Sequence, residues 1–390
     1  MRYTFSLGIY ISTIVQAITA SPIQWNTQRL DVTDDYVKTS GQTFTLNGNT
    51  FTVVGANTYW VGLSGLGVDD MNLAFVDIKN AGATTARTWG FNEVTNTEEG
   101  IPYYQSWSDG VPTINYGPTG LENFDKVVAA AKANGIRLIV ALTNNWSDYG
   151  GMDTYVSQLT GSPNHDYFYT DASVISAFKN YVQAFVERYV NETTILGWEL
   201  ANEPRCKGST GVTSGTCSTT TITNWASQMS AFIKSIDTNH LVAIGDEGFY
   251  NRPGNPSYPY QGSEGIDFDA NLAIDTIDFG TFHLYPVGWG QTANPTGWGV
   301  QWIQDHFTSQ SQQNKPVIME EFGVTESQVS TYQAWYSAVL DSGLTGDLIW
   351  QAGSHLSTGD SWDDGYTIYP DDPVYPLEQE HAAAMKAKNE

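Results

Sequence analysis

The chain has 390 residues, and 41% of them are hydrophobic, enough to bury the core of one large domain or two medium ones. It carries 42 acidic against 17 basic residues, a formal charge of −25, with the acids spread along its length. Such a surface repels phosphate backbones and anionic lipid, so nucleic acid and membranes are not expected partners, whereas a neutral polymer is not repelled.

In chain order, Arg2 precedes a mostly apolar stretch through Val15, followed by the small residues Ala17 and Ala20. This reads as a signal peptide over residues 1–20, cleaved near Ala17 or Ala20, and predicts a secreted, extracellular protein. No later run is long and apolar enough for a membrane span. Thr43-Phe44-Thr45-Leu46 and Thr50-Phe51-Thr52-Val53 flank Asn47-Gly48-Asn49, a pattern that predicts a hairpin. Eight strand-like runs follow: Phe51–Gly55, Thr84–Thr88, Arg137–Thr143, Ile195–Ala201, Leu241–Gly245, Phe279–Leu284, Val317–Phe322 and Asp347–Gln351.

Helical stripes fall between most of these runs. One comprises Leu121, Phe124, Val128 and Ala131, stopped by Gly135. Others are Val174 to Tyr189, Trp225 to Ile236, and Val329, Tyr332, Tyr336, Val339 and Leu340 before Gly343. Repeated strand and helix predict an α/β fold, a (β/α)8 TIM barrel. The competing doubly wound sheet lacks a Gly-rich dinucleotide turn here. With no Ser/Thr/Pro-rich linker, residues 21–390 are expected to form one domain.

Cys206 and Cys217 are the two cysteines, 11 positions apart and just past the fourth strand. In an oxidising compartment they predict one disulfide, which loop entropy values at roughly 2–3 kcal/mol. Of two glycosylation sequons, Asn191-Glu192-Thr193 is the expected acceptor, while Asn145-Trp146-Ser147 falls at the expected rim of the site.

Polar and aromatic residues gather at the C-terminal ends of the strands, where barrels place their chemistry. The fourth strand ends in Asn202-Glu203-Pro204, and proline stops a ladder because it has no N–H. The seventh ends in Glu320-Glu321-Phe322-Gly323, the second in Arg87-Thr88-Trp89, the sixth in His283-Leu284-Tyr285 and the eighth in Trp350-Gln351. Two carboxylates on one lip are the minimum equipment for cleaving a glycosidic bond. Alternation along a strand leaves the choice between Glu320 and Glu321 open, since adjacent residues face opposite ways.

Trp198-Glu199-Leu200-Ala201-Asn202-Glu203-Pro204-Arg205-Cys206, Asn145-Trp146-Ser147-Asp148-Tyr149-Gly150-Gly151 and Thr281-Phe282-His283-Leu284-Tyr285-Pro286 together resemble family 5 glycoside hydrolases. Within that family they are most similar to secreted fungal endo-β-1,4-mannanases, from about Phe51 to Gly353. The resemblance implies a retaining hydrolase of β-mannan with Glu203 as acid/base and Glu321 as nucleophile, the residue before the aromatic-Gly pair. It places Arg87, Trp89, Asn202, His283, Tyr285 and Trp350 around the sugar, with Arg205 toward the leaving-group side or in a surface ion pair. Glu320 becomes a buried supporting residue. The other readings are an endo-β-1,4-glucanase on the same scaffold and a non-catalytic carbohydrate-binding barrel. No metal or cofactor is expected, because the remaining histidines show no ligand spacing, and a monomer is expected. Among the tryptophans, Trp60, Trp107, Trp146, Trp289, Trp298 and Trp362 stay open as platforms for distant sugars.

Overall fold

A computed structural model describes residues 35–389. The leader predicted over residues 1–20, and with it the cleavage site, lies outside the described residues. Eight parallel strands form the centre: β1 (Val53–Asn57), β2 (Thr85–Trp89), β3 (Arg137–Ala141), β4 (Ile195–Glu199), β5 (Leu241–Ala243), β6 (Gly280–Leu284), β7 (Val317–Phe322) and β8 (Gly346–Ile349). Their hydrogen-bonded order runs β5-β4-β3-β2-β1-β8-β7-β6. The two ends meet through backbone bonds from Asp278 N–H to the Val242 carbonyl (2.8 Å) and from His283 N–H to the Glu247 carbonyl (3.2 Å). The sheet is therefore a closed barrel, which removes its edges.

Of the ten α-helices among the described residues, eight accompany the strands: α1 (Val68–Asn80), α2 (Leu121–Asn134), α3 (Ala172–Tyr189), α4 (Thr219–Ile236), α5 (Phe268–Leu272), α6 (Pro295–Gln313), α7 (Gln328–Ser342) and α8 (Tyr375–Asn389); the shorter Gly151–Thr160 and Tyr167–Thr170 lie between β3 and α3. The predicted stripes of α2 and α3 are buried, and Asp171 caps α3 by accepting from the N–H groups of Ser173 and Val174. In α7 the stripe begins one turn too early, because Val329 is exposed at the helix start. The sequence pattern does not single out α6, whose buried side mixes Trp302 and Ile303 with His306, Ser309 and Gln310. A helix that buries polar groups satisfied by hydrogen bonds shows little apolar periodicity.

The barrel interior is closed below by Val53, Ile139, Leu196, Leu241, Phe279, Ile318 and Leu348. The predicted hairpin plugs this end. Asn47 (φ 54°) and Gly48 (φ 78°) make its two-residue turn, and Phe44 packs edge-on against Phe279. Its second arm is only Asn49–Thr50, while Lys38–Ser40 adds a third strand on the other side. Cys206 and Cys217 are disulfide-bonded.

Candidate active site

The upper end of the barrel opens into a cleft of about 1310 Å³. Glu203 lies four residues beyond β4, and the intervening backbone is bonded alternately to both neighbours. Leu200 and Ala201 N–H donate to Ala243 and Ile244, Asn202 N–H to Thr143, and Glu203 N–H to Gly245. Gly245 has φ +84°, and a Cβ there would stand 2.1 Å from the Ala201 carbonyl, so this close approach requires glycine. Glu203 itself has φ 51°, a left-handed conformation costly for a side chain with a Cβ and of the kind found at functional sites.

Glu203 is held from two sides. Its Oε1 lies 2.7 Å from His283 Nδ1, and its Oε2 accepts from the Trp146 indole N–H at 2.5 Å. Glu321 accepts from the Tyr285 hydroxyl at 2.9 Å and from the Arg87 guanidinium. One oxygen of Glu203, one of Glu321 and a ring nitrogen of His283 lie within 4.8 Å of one another. Among the described residues this is the one His and carboxylate cluster with metal-ligand spacing, and each member already has a protein partner. Burial pushes the Glu321 carboxyl up, with His283 and Arg87 pulling against it. Burial lowers the His283 imidazole below its ordinary value.

Arg87 is fully buried and is the hub beneath the carboxylates. It donates to Glu199 Oε2 (2.8 Å), Asn57 Oδ1 (3.2 Å), Asn202 Oδ1 (3.0 Å) and Glu321, and its guanidinium lies 4.6 Å from the Trp89 ring centre. The strict alternation expected of β7 does not hold. Phe282 pairs with Met319, but His283 pairs with Glu321, so Glu320 is an extra residue in the ladder. This bulge lets both glutamates reach Arg87, Glu320 at 3.4 Å from Nε.

The remaining expected residues are also placed in or under the cleft. Trp350 stacks on Tyr59 with centroids 5.3 Å apart and donates to Asp364 at 2.8 Å. Arg205 is not in a surface ion pair. Its guanidinium grips the buried Glu247 carboxylate at 2.5 and 2.6 Å and lies 5.2 Å from the Trp146 ring centre. Burial pushes Glu247 up to about 7, with the charge of Glu203 adding to the rise. Trp146, Trp289 and Trp362 line the cleft, whereas Trp60 and Trp107 are core residues and Trp298 packs on Trp302.

Glu247, Tyr59, Tyr149, Asp364 and Tyr366 also line the cleft but are absent from the sequence-derived set. Glu247 comes two residues after Gly245, where the end of β5 could have pointed to it. Tyr149 stands in the Asn145–Gly151 motif, while Tyr59, Asp364 and Tyr366 carried no comparable signal. Asn145 is fully buried, its Oδ1 taken by Arg205 N–H and His165, while Asn191 is exposed beyond α3.

The model of the cellulase family, glycosyl hydrolase family 5, matches residues 47–356. The chain belongs to glycosyl hydrolase family 5. It is 43% identical over 358 residues to a probable mannan endo-1,4-beta-mannosidase A of Aspergillus flavus, covering 91% of this chain and 89% of that protein. It is 42% identical to the mannan endo-1,4-beta-mannosidase A of Podospora anserina, covering 85% of this chain and 86% of that one. Among solved structures, the endo-1,4-beta-mannanase of Rhizomucor miehei superposes with a TM-score of 0.84 at 41% identity, over 90% of this chain and 99% of that one. The barrel and its hydrolase class are thereby shown for this chain.

Proposed function

We propose that this enzyme cleaves internal β-1,4-mannosidic bonds of mannan, galactomannan and glucomannan with retention of configuration. The observation that carries the reading is the approach of Glu203 and Glu321 to within 4.8 Å across the cleft. Retention needs carboxyl groups roughly 5–5.5 Å apart, whereas inversion needs roughly 6.5–9.5 Å to admit a water. Glu321 attacks the anomeric carbon while Glu203 protonates the leaving oxygen. Loss of the Glu321 charge in the covalent intermediate then favours ionisation of Glu203, which takes a proton from the incoming water.

The partners have matching tasks. Arg87 and the Tyr285 hydroxyl hold Glu321 in line, and His283 and the Trp146 indole orient Glu203. Asn202, fixed by Arg87 and Asn144, faces the sugar 2-OH, and Trp350 with Trp89 supplies an aromatic floor. Arg205 reaches the leaving-group side. Mannan rather than glucan is favoured by the activities named for the relatives that span most of this chain. The leader-like first 20 residues and the disulfide support secretion, and the exposed Asn191 is the proposed glycan acceptor.

Reducing-end release from galactomannan and carboxymethylcellulose tests the assignment, with proton NMR of the first-formed anomer. Mannan cleavage giving the β-anomer is expected. Preference for carboxymethylcellulose would make it a glucanase, an α-anomer would exclude double displacement, and binding without cleavage would leave a carbohydrate-binding barrel.

A further inference from the structure

Beneath the two cleft carboxylates lie two more, Glu199 on β4 and Glu320 on β7, both with fully buried side chains. Both come within 3.4 Å of the same guanidinium nitrogen, Arg87 Nε. That nitrogen carries one hydrogen. It goes to Glu199 Oε2 at 2.8 Å, which leaves Glu320 Oε2 beside Nε at 3.4 Å with no N–H aimed at it. The Nη groups of Arg87 donate to Asn57, Glu321 and Asn202. The other polar neighbour of Glu320 Oε2 is His283 Nε2, at 3.5 Å. Asn57, on β1, donates to the Glu320 main-chain carbonyl rather than to its carboxyl. Glu199 Oε1 and Glu320 Oε1 are each buried without a donor, and the two carboxyls converge on the same Arg87 nitrogen.

Two ionised carboxylates in this position would leave two buried acceptors orphaned and set three anions, with Glu321, around one guanidinium. Either condition is costly for side chains buried this completely. We propose that Glu320 is a carboxylic acid that donates its proton to Glu199, forming an acid–carboxylate pair beneath the nucleophile. A single proton then supplies the donor that the buried pair lacks. It also leaves Arg87 with two anionic partners, Glu199 holding Nε and Glu321 holding Nη1. Burial, with Glu199 and Glu321 alongside, acts in the same direction by pushing the Glu320 carboxyl well above the ordinary range. Glu320 touches no sugar in this arrangement and acts through Arg87 and His283 as a positioning residue. The β7 bulge is what places it there.

Glu320→Gln and Glu320→Leu test the assignment. The amide of glutamine donates where the acid O–H did, and leucine has similar bulk but no donor. The wild-type minus Glu320→Gln infrared difference spectrum at neutral pH is expected to show loss of a protonated-carboxyl C=O stretch. On galactomannan, Glu320→Gln is expected to lower kcat by no more than about threefold, while Glu320→Leu lowers it at least about tenfold. Loss of an ionised-carboxylate band instead, or a fall in kcat for glutamine as deep as for leucine at unchanged Tm, would overturn it. The kinetic comparison rests on Glu321 as the nucleophile of mannan hydrolysis. The infrared band does not, so it decides the proton even if that functional reading fails.

Discussion

His283 Nδ1 lies 2.7 Å from Glu203 Oε1 and 3.6 Å from Glu321 Oε2, so one buried imidazole touches both carboxylates of the cleft. The ring is itself fixed by its place on β6, opposite Glu321. His283→Ala is expected to lower kcat by roughly 10²-fold or more, because the two carboxyls lose a shared orienting partner. KM should change much less, which steady-state kinetics on mannooligosaccharides would show; a pure KM effect would assign the ring to substrate binding.

Glu203→Ala and Glu321→Ala are each expected to cost roughly 10³-fold or more in kcat while the thermal transition stays close to wild type. Azide should rescue Glu321→Ala with an inverted glycosyl azide and Glu203→Ala with a retained one. Rescue with inversion at Glu320→Ala would move the nucleophile by one residue.

Activity should fall on the acidic side at a pH above the ordinary glutamate range. In the proposed double displacement, attack requires ionised Glu321, and burial raises its pKa. Arg87 opposes that rise, so Arg87→Lys, which loses the bidentate reach to Glu199 and Glu321, should move the acid limb of kcat/KM further up. A limb that moves down would contradict the role given to Arg87.

Stability should run the other way with pH. Burial pushes Glu93 up to about 8 and Asp246 up to about 7 in the folded protein. Both groups bind protons more tightly folded than unfolded, so their contribution is fully present below the unfolded values and is lost as pH rises through the folded ones. Tm is therefore expected to decline between about pH 5 and 8, with the slope reduced in Glu93→Gln. Differential scanning across that range measures it.

Cys206→Ser should lower Tm by several degrees through loss of a cross-link worth roughly 2–3 kcal/mol, with little change in kcat. The disulfide closes the loop after β4 but contributes no atom to the cleft. A retained Tm would show that this loop is ordered by its packing alone.

Much of this architecture is legible in the sequence. Strand and helix have different apolar periods, so the eight strands and four of the helices could be read locally, but β4 ends at Glu199, short of the proline after Glu203, and Asn202 and Glu203 lie on the segment beyond it. The aromatic and polar residues at the strand ends therefore announced a common rim. A polar-faced helix such as α6 hid from the same logic, as did the cleft residues Asp364 and Tyr366.

Distance between strands is a different kind of information. That Glu203 and Glu321 meet follows from barrel closure between β5 and β6, a property of all eight strands together. That Glu320 and Glu321 both face Arg87 follows from a bulge set by the register of β7 against β6, which no period-2 pattern within β7 records. Sequence by itself determined which residues stand at the mouth; only the closed barrel decided which of them meet.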